Sequence, residues 1–188
     1  MESFNYLSVL ISIILGLAIA QALQGVRGLI LTRRKVKLYA PTVIWTGMAL
    51  LLAIQGWWAA FSMHEQATWN FLGLLVIVLQ AISVYMIAAL VLPDPKDDAV
   101  VDLRAHYFAH RHWFFAAVLG SVIFSLSKEL LLYGRLPGPF DRSFQFAFGL
   151  IAIGAIIVRQ EWFHKILAPV SALLVVFYIA LLFYRLHA

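Results

Sequence analysis

Leu72-Gly-Leu-Leu-Val-Ile-Val-Leu79 and Ile166-Leu-Ala-Pro-Val-Ser-Ala-Leu-Leu-Val-Val-Phe-Tyr-Ile-Ala-Leu-Leu182 contain no charged side chain. Stretches of this kind decide the fold. Of 188 residues 63% are hydrophobic and only 12% charged, with a mean hydropathy of +0.90. A soluble domain carries about twice that charged fraction, and it could not hide so much apolar area from water. Lipid removes the difficulty. In a bilayer every backbone N–H and C=O must be paired within the protein, which leaves helices or a closed barrel. Barrel strands alternate apolar and polar residues, and unbroken runs do not. The expected fold class is therefore all-α: a polytopic bundle of about six membrane-spanning helices, forming one membrane domain over residues 1–188.

A hydrocarbon core of about 30 Å takes roughly 20 helical residues. Spans are expected at 4–31, 40–62, 69–92, 112–133, 141–159 and 166–186. Pro41 and Pro169 fall in first helical turns, where a missing N–H costs nothing. Pro93 and Pro95 close the third helix. Gly134, Pro137, Gly138 and Pro139 mark the turn between the fourth and fifth, where Asp141 or Ser143 can cap. The longest connection, 93–111, is charged, and Val100–His112 suits a short amphipathic helix on the membrane surface.

Lysine and arginine placement predicts the orientation. Ten of them (Arg27, Arg33, Arg34, Lys35, Lys37, Lys96, Arg104, Arg111, Arg159 and Lys165) lie in or beside the 1–2, 3–4 and 5–6 connections, against four (Lys128, Arg135, Arg142 and Arg185) on the other side. Basic connections stay in the cytoplasm, so an inner cell membrane with both termini on the non-cytoplasmic side is expected. Trp45, Trp113 and Trp162 fit the inner interface, and Trp57, Trp58 and Trp69 the outer one. Ala18-Ile-Ala20 has the form of a signal-peptidase site. The segment before it lacks Lys and Arg, however, and the apolar pattern runs on to Leu31, which favours a retained helix.

The net charge of +5 belongs to residues beside apolar spans. It points to anionic lipid at the cytoplasmic face rather than to nucleic acid. No cysteine is present, which excludes disulfides, thiolate metal sites and cysteine nucleophiles. G-x-S-x-G, H-E-x-x-H and P-loop patterns are missing, so an enzyme is not the leading expectation.

Small residues form stripes: Thr42, Thr46, Ala49, Ala53, Gly56 and Ala60 on the second helix; Asn5, Ser8, Ser12, Gly16 and Ala20 on the first; Arg142, Gln145, Gly149 and Ala152 on the fifth. Such faces let backbones approach and should form the bundle interior or a subunit contact, to a second copy or another membrane protein. Tyr178, mid-helix, needs a hydroxyl partner, which a glutamine could supply.

Charged groups within spans are the strongest functional pointers. Lys128 lies 15 residues beyond Trp113, about 22 Å along a helix axis and short of the far edge of the hydrocarbon. A lysine fully buried there costs roughly 2–3 kcal/mol. Ser121, Ser125 and Lys128 share a face, and Ser125 stands four residues before Glu129. Gln21, Gln55 and Gln80 lie deeper. Together these residues are the candidates for a solute or ion path; snorkelling of the charges and amide bridges between helices are the structural alternative. His106, His110 and His112, with His164, offer a weak metal or haem reading. Their number falls short of the His boxes of membrane hydroxylases, and no cofactor is expected. The functions in view are a small channel or transporter, a non-transporting subunit or scaffold, and a haem or metal protein.

Overall fold

A computed structural model describes residues 2–61, 63, 70–94 and 100–182. It contains α1 (Glu2–Leu31), α2 (Ala40–Phe61), α3 (Phe71–Val91), α4 (Leu103–Tyr133), α5 (Pro139–Ile157) and α6 (Glu161–Leu182). All six are long and apolar enough to cross a bilayer. A two-residue parallel pairing joins β1 (Val36–Lys37) to β2 (Val101–Asp102), with Val36 opposite Val101.

The helices close into a ring. Going round it, α1 packs on α3, α3 on α4, α4 on α5, α5 on α6, α6 on α2 and α2 on α1, while α2 also crosses to α3. The inside of this ring is the core. Leu7, Ile11, Leu15, Ala18 and Ala22 point inward from α1; Thr42, Thr46, Ala49 and Ala53 from α2; Ile77, Ala81, Ile87 and Ala88 from α3. The outside is apolar, as in Leu150 and Leu173, each 71% exposed. A greasy exterior is stable only against lipid. The architecture is that of a multi-pass membrane protein.

The ends differ from the sequence-based expectation in ways that matter. Helix α4 starts nine residues early, so the separate surface helix expected over 100–112 does not exist. Asp102 caps it by accepting the Ala105 N–H at 2.9 Å, and no proline or glycine interrupts the chain from there to Gly120. Helix α6 starts at Glu161, which puts Pro169 inside the helix rather than in its first turn. Helix α5 starts at Pro139 with Gly138 as cap, and neither Asp141 nor Ser143 caps it; the Ser143 hydroxyl donates to the Pro139 carbonyl at 2.8 Å. Asn70 is the N-cap of α3, accepting from the Gly73 N–H at 2.7 Å. Gly134 ends α4 at φ +63°, a left-handed position that favours glycine.

Two expected surfaces also move. The α2 stripe lies in the core, but Asn5, Ser12, Gly16 and Ala20 of the α1 stripe are exposed. Trp45 is 1% exposed, so it is a core residue rather than an interfacial anchor. It stacks edge-on against Phe114 and Phe115, with ring centroids 5.2 Å away in each case. Trp113 and Trp162 are exposed. Trp69, Pro95, Lys96 and Arg185 lie outside the described residues.

Candidate functional site

At the end of the bundle that carries the basic connections, aromatic side chains fill the space between α2, α4 and α6. Tyr39, Trp45, Tyr107, Phe114 and Phe115 are all buried there, with His164 fully enclosed among them. His164 Nε2 lies 2.9 Å from the Val158 carbonyl, which can only accept. Nε2 therefore carries the proton, and Nδ1 accepts from the Tyr107 hydroxyl at 2.9 Å. Arg111 donates to the Ile156 carbonyl at the end of α5 and to His112 Nε2. Arg104 pairs with Glu161 at 2.8 Å, tying the start of α4 to α6, and Lys165 pairs with Glu161 within α6 at 2.9 Å. Tyr39, in the connection before α2, is pushed up to about 12, chiefly by burial and then by the Glu161 carboxylate.

These contacts bear on the histidine reading. His106 reaches the Leu90 carbonyl at 3.1 Å and His110 the His106 carbonyl at 3.0 Å. His164 has no nitrogen left over. Among the described residues no group of three or more His, Asp or Glu side chains stands together as metal ligands.

The opposite end is open inside. A cavity of about 280 Å³ lies within the ring. Its position follows from the topology: the C-terminal parts of α2, α4 and α6 meet the N-terminal parts of α1, α3 and α5. Gln55 comes from α2, Gln80 from α3, Ser125, Lys128 and Glu129 from α4, Asp141 and Gln145 from α5 and Tyr178 from α6. Helix α1 supplies Ile11 and Leu15, and Gly56 and Ala60 on α2 leave room. A smaller space of about 110 Å³ shares Gln55, Gln80, Ser125, Gln145 and Tyr178 and adds Ser121. Its other walls include Met48, Leu52, Phe144 and Phe148.

Of the residues singled out from sequence, Gln55, Gln80, Ser125, Lys128 and Glu129 face one cavity and Ser121 its side chamber. Gln21 does not join them. It lines a separate cleft between α1 and the end of α3, with Gln24, Arg27 and Asp94. Ser121 spends its hydroxyl proton on the Val118 carbonyl at 2.8 Å.

Sequence reasoning missed Asp141 as a cavity residue. Its Oδ1 accepts from the Tyr178 hydroxyl and from Gln145 Nε2, both at 2.9 Å. A carboxylate, not the expected glutamine, thus satisfies Tyr178. The signal was present: Asp141 and Gln145 are four apart, on the face that continues through Gly149 and Ala152. Lys128 has no carboxylate within 4.0 Å among the described residues, although Glu129 and Asp141 are near enough to act on it electrostatically.

Such a chamber can hold a polar solute away from lipid and offers it both signs of charge. No protein-family model matches the chain, and no curated protein or solved structure does either.

Proposed function

We propose that this protein binds a small polar or charged solute in the central cavity and carries it across the membrane. One observation carries the reading. Five of the six helices each bring at least one polar side chain to a single cavity inside an otherwise apolar bundle. Burying ionisable groups at membrane depth is expensive, and they persist there where they serve a path or a ligand. Packing alone would be served better by alanine or leucine at these positions.

The filled aromatic layer on the basic side of the cavity favours a carrier over an open channel. The polar lining ends at Ser121, and the aromatic layer around Trp45, Phe115 and Tyr107 fills the ring below it. A carrier holds its solute at one site and exposes that site to the two sides in turn.

Uptake into proteoliposomes tests this with a panel of labelled alkali cations, small amines, neutral amides and zwitterionic amino acids. At least one is expected to enter above protein-free vesicles. Gln55→Leu and Gln80→Leu are expected to cut that uptake by about tenfold or more, the scale of one lost buried polar contact. Uptake that is equal in both variants and the unaltered protein contradicts the proposal, as does a panel with no flux at all.

A further inference from the structure

We infer that the cavity selects a small amphiphilic organic cation, with its ammonium group on Asp141 and Gln145 and its apolar body in the side chamber. This rests on the reading of the cavity as a solute site and names the class of solute.

The first ground is charge. Among the described residues that line the cavity two are acidic, Glu129 and Asp141, and one is basic, Lys128. A lining richer in acidic than in basic side chains favours a cation over an anion. In a low-dielectric surround that difference weighs heavily.

The second ground is independent of charge. Gln145 is only 8% exposed, and its Oε1 has no hydrogen-bond partner among the described residues. Its Nε2 is already committed to Asp141 Oδ1, which the Tyr178 hydroxyl also occupies. What this cluster has left to offer is acceptors: Gln145 Oε1 and the second carboxylate oxygen of Asp141. A buried acceptor calls for a donor, and an ammonium group brings several N–H bonds together with a positive charge.

The third ground is shape. A bare alkali ion is held by a tight cage of oxygens, and about 280 Å³ is far more space than that requires. Beyond Gln145 and Tyr178 lies the chamber of about 110 Å³ walled by Met48, Leu52, Phe144 and Phe148. The Phe144 and Tyr178 rings, 5.3 Å apart, stand where the two spaces join. Aromatic faces suit a cation with an apolar body.

Calorimetric titration of the full chain in detergent separates the alternatives. The probes are 2-phenylethylammonium, 3-phenylpropionate as an anion of similar shape, and sodium and potassium chloride. The ammonium probe is expected to bind saturably, at least about tenfold tighter than the carboxylate probe, and Asp141→Asn and Gln145→Leu are each expected to weaken it about tenfold or more. The probe comparison needs only the unaltered protein, so it does not depend on either variant folding. Equal or tighter binding of 3-phenylpropionate overturns the inference, as does displacement of the ammonium probe by sodium or potassium at comparable concentration. Ammonium binding that is unchanged in folded Gln145→Leu overturns it as well. Silence from every probe overturns this inference alone, because the flux panel also contains neutral and zwitterionic solutes that the cavity could carry.

Discussion

At the scale of the residue, two polar clusters do opposite work. At the basic end, the Tyr107 hydroxyl, His164 and the Val158 carbonyl form a chain in which each donor has one acceptor. Nothing in that chain is left to meet a ligand, so its role is to lock α4 against the α5–α6 corner. Tyr107→Phe removes the proton that His164 Nδ1 accepts and strands a buried ring nitrogen, at a cost of about 1–3 kcal/mol. The expected result is a lower midpoint on unfolding in mixed micelles, with any solute binding retained. At the far end, Asp141, Gln145 and Tyr178 are joined just as closely, yet an acceptor remains unused. The unused acceptor, Gln145 Oε1, faces the cavity, which distinguishes this cluster from the Tyr107–His164 chain.

At the scale of the element, contact distance between helices sets what the ring tolerates. Helix α1 passes so close to the end of α3 that a Cβ at Gly25 would stand 2.8 Å from Leu92 Cδ1 and 3.0 Å from its Cβ. Gly25→Val therefore forces the Leu92 side chain to shift, and overpacking of this kind costs about 1–3 kcal/mol. The same unfolding measurement should show the loss, and a midpoint unchanged from the parent would mean the helices are not in contact there. Six apolar runs were legible in the sequence because hydropathy is local. Their ends were not, because capping is decided by geometry. Asp141 looked like a cap and is a cavity residue, and Asn70 fell inside the expected third span and is a cap. Residues 103–111 looked like a surface helix only because they are more polar than the rest of α4. The α1 stripe misled for another reason. Lipid and bundle interior are both apolar, so Gly16 and Ser12 carry no mark of which they face. The cavity was partly legible, since Gln55, Gln80, Ser125, Lys128 and Glu129 are costly in a span wherever they point. Gln21 is just as costly and faces a different cleft, which a single helix cannot reveal.

At the scale of the whole molecule, the ring has a filled aromatic layer toward its basic end and a cavity toward the other. The lysine and arginine count predicts that the basic end faces the cytoplasm. Because the chain has no cysteine, single substitutions report sidedness cleanly. Lys35→Cys is expected to react with a membrane-impermeant maleimide only in inverted vesicles, and Leu136→Cys only in intact cells. The reverse pattern would keep the fold and turn it over. Labelling of both from one side would break the six-span topology.

The central claim is that water and solute enter a polar space inside this bundle from the end opposite its basic connections. Ser125→Cys tests it most directly, with Ile123→Cys on the outward face of the same helix as control, since Ser125 lines the cavity and Ile123 is 50% exposed toward lipid. In native membranes a small charged methanethiosulfonate reagent, added to that side, is expected to modify Ser125→Cys and spare Ile123→Cys. An inert Ser125→Cys, or equal reaction at both positions, contradicts the claim.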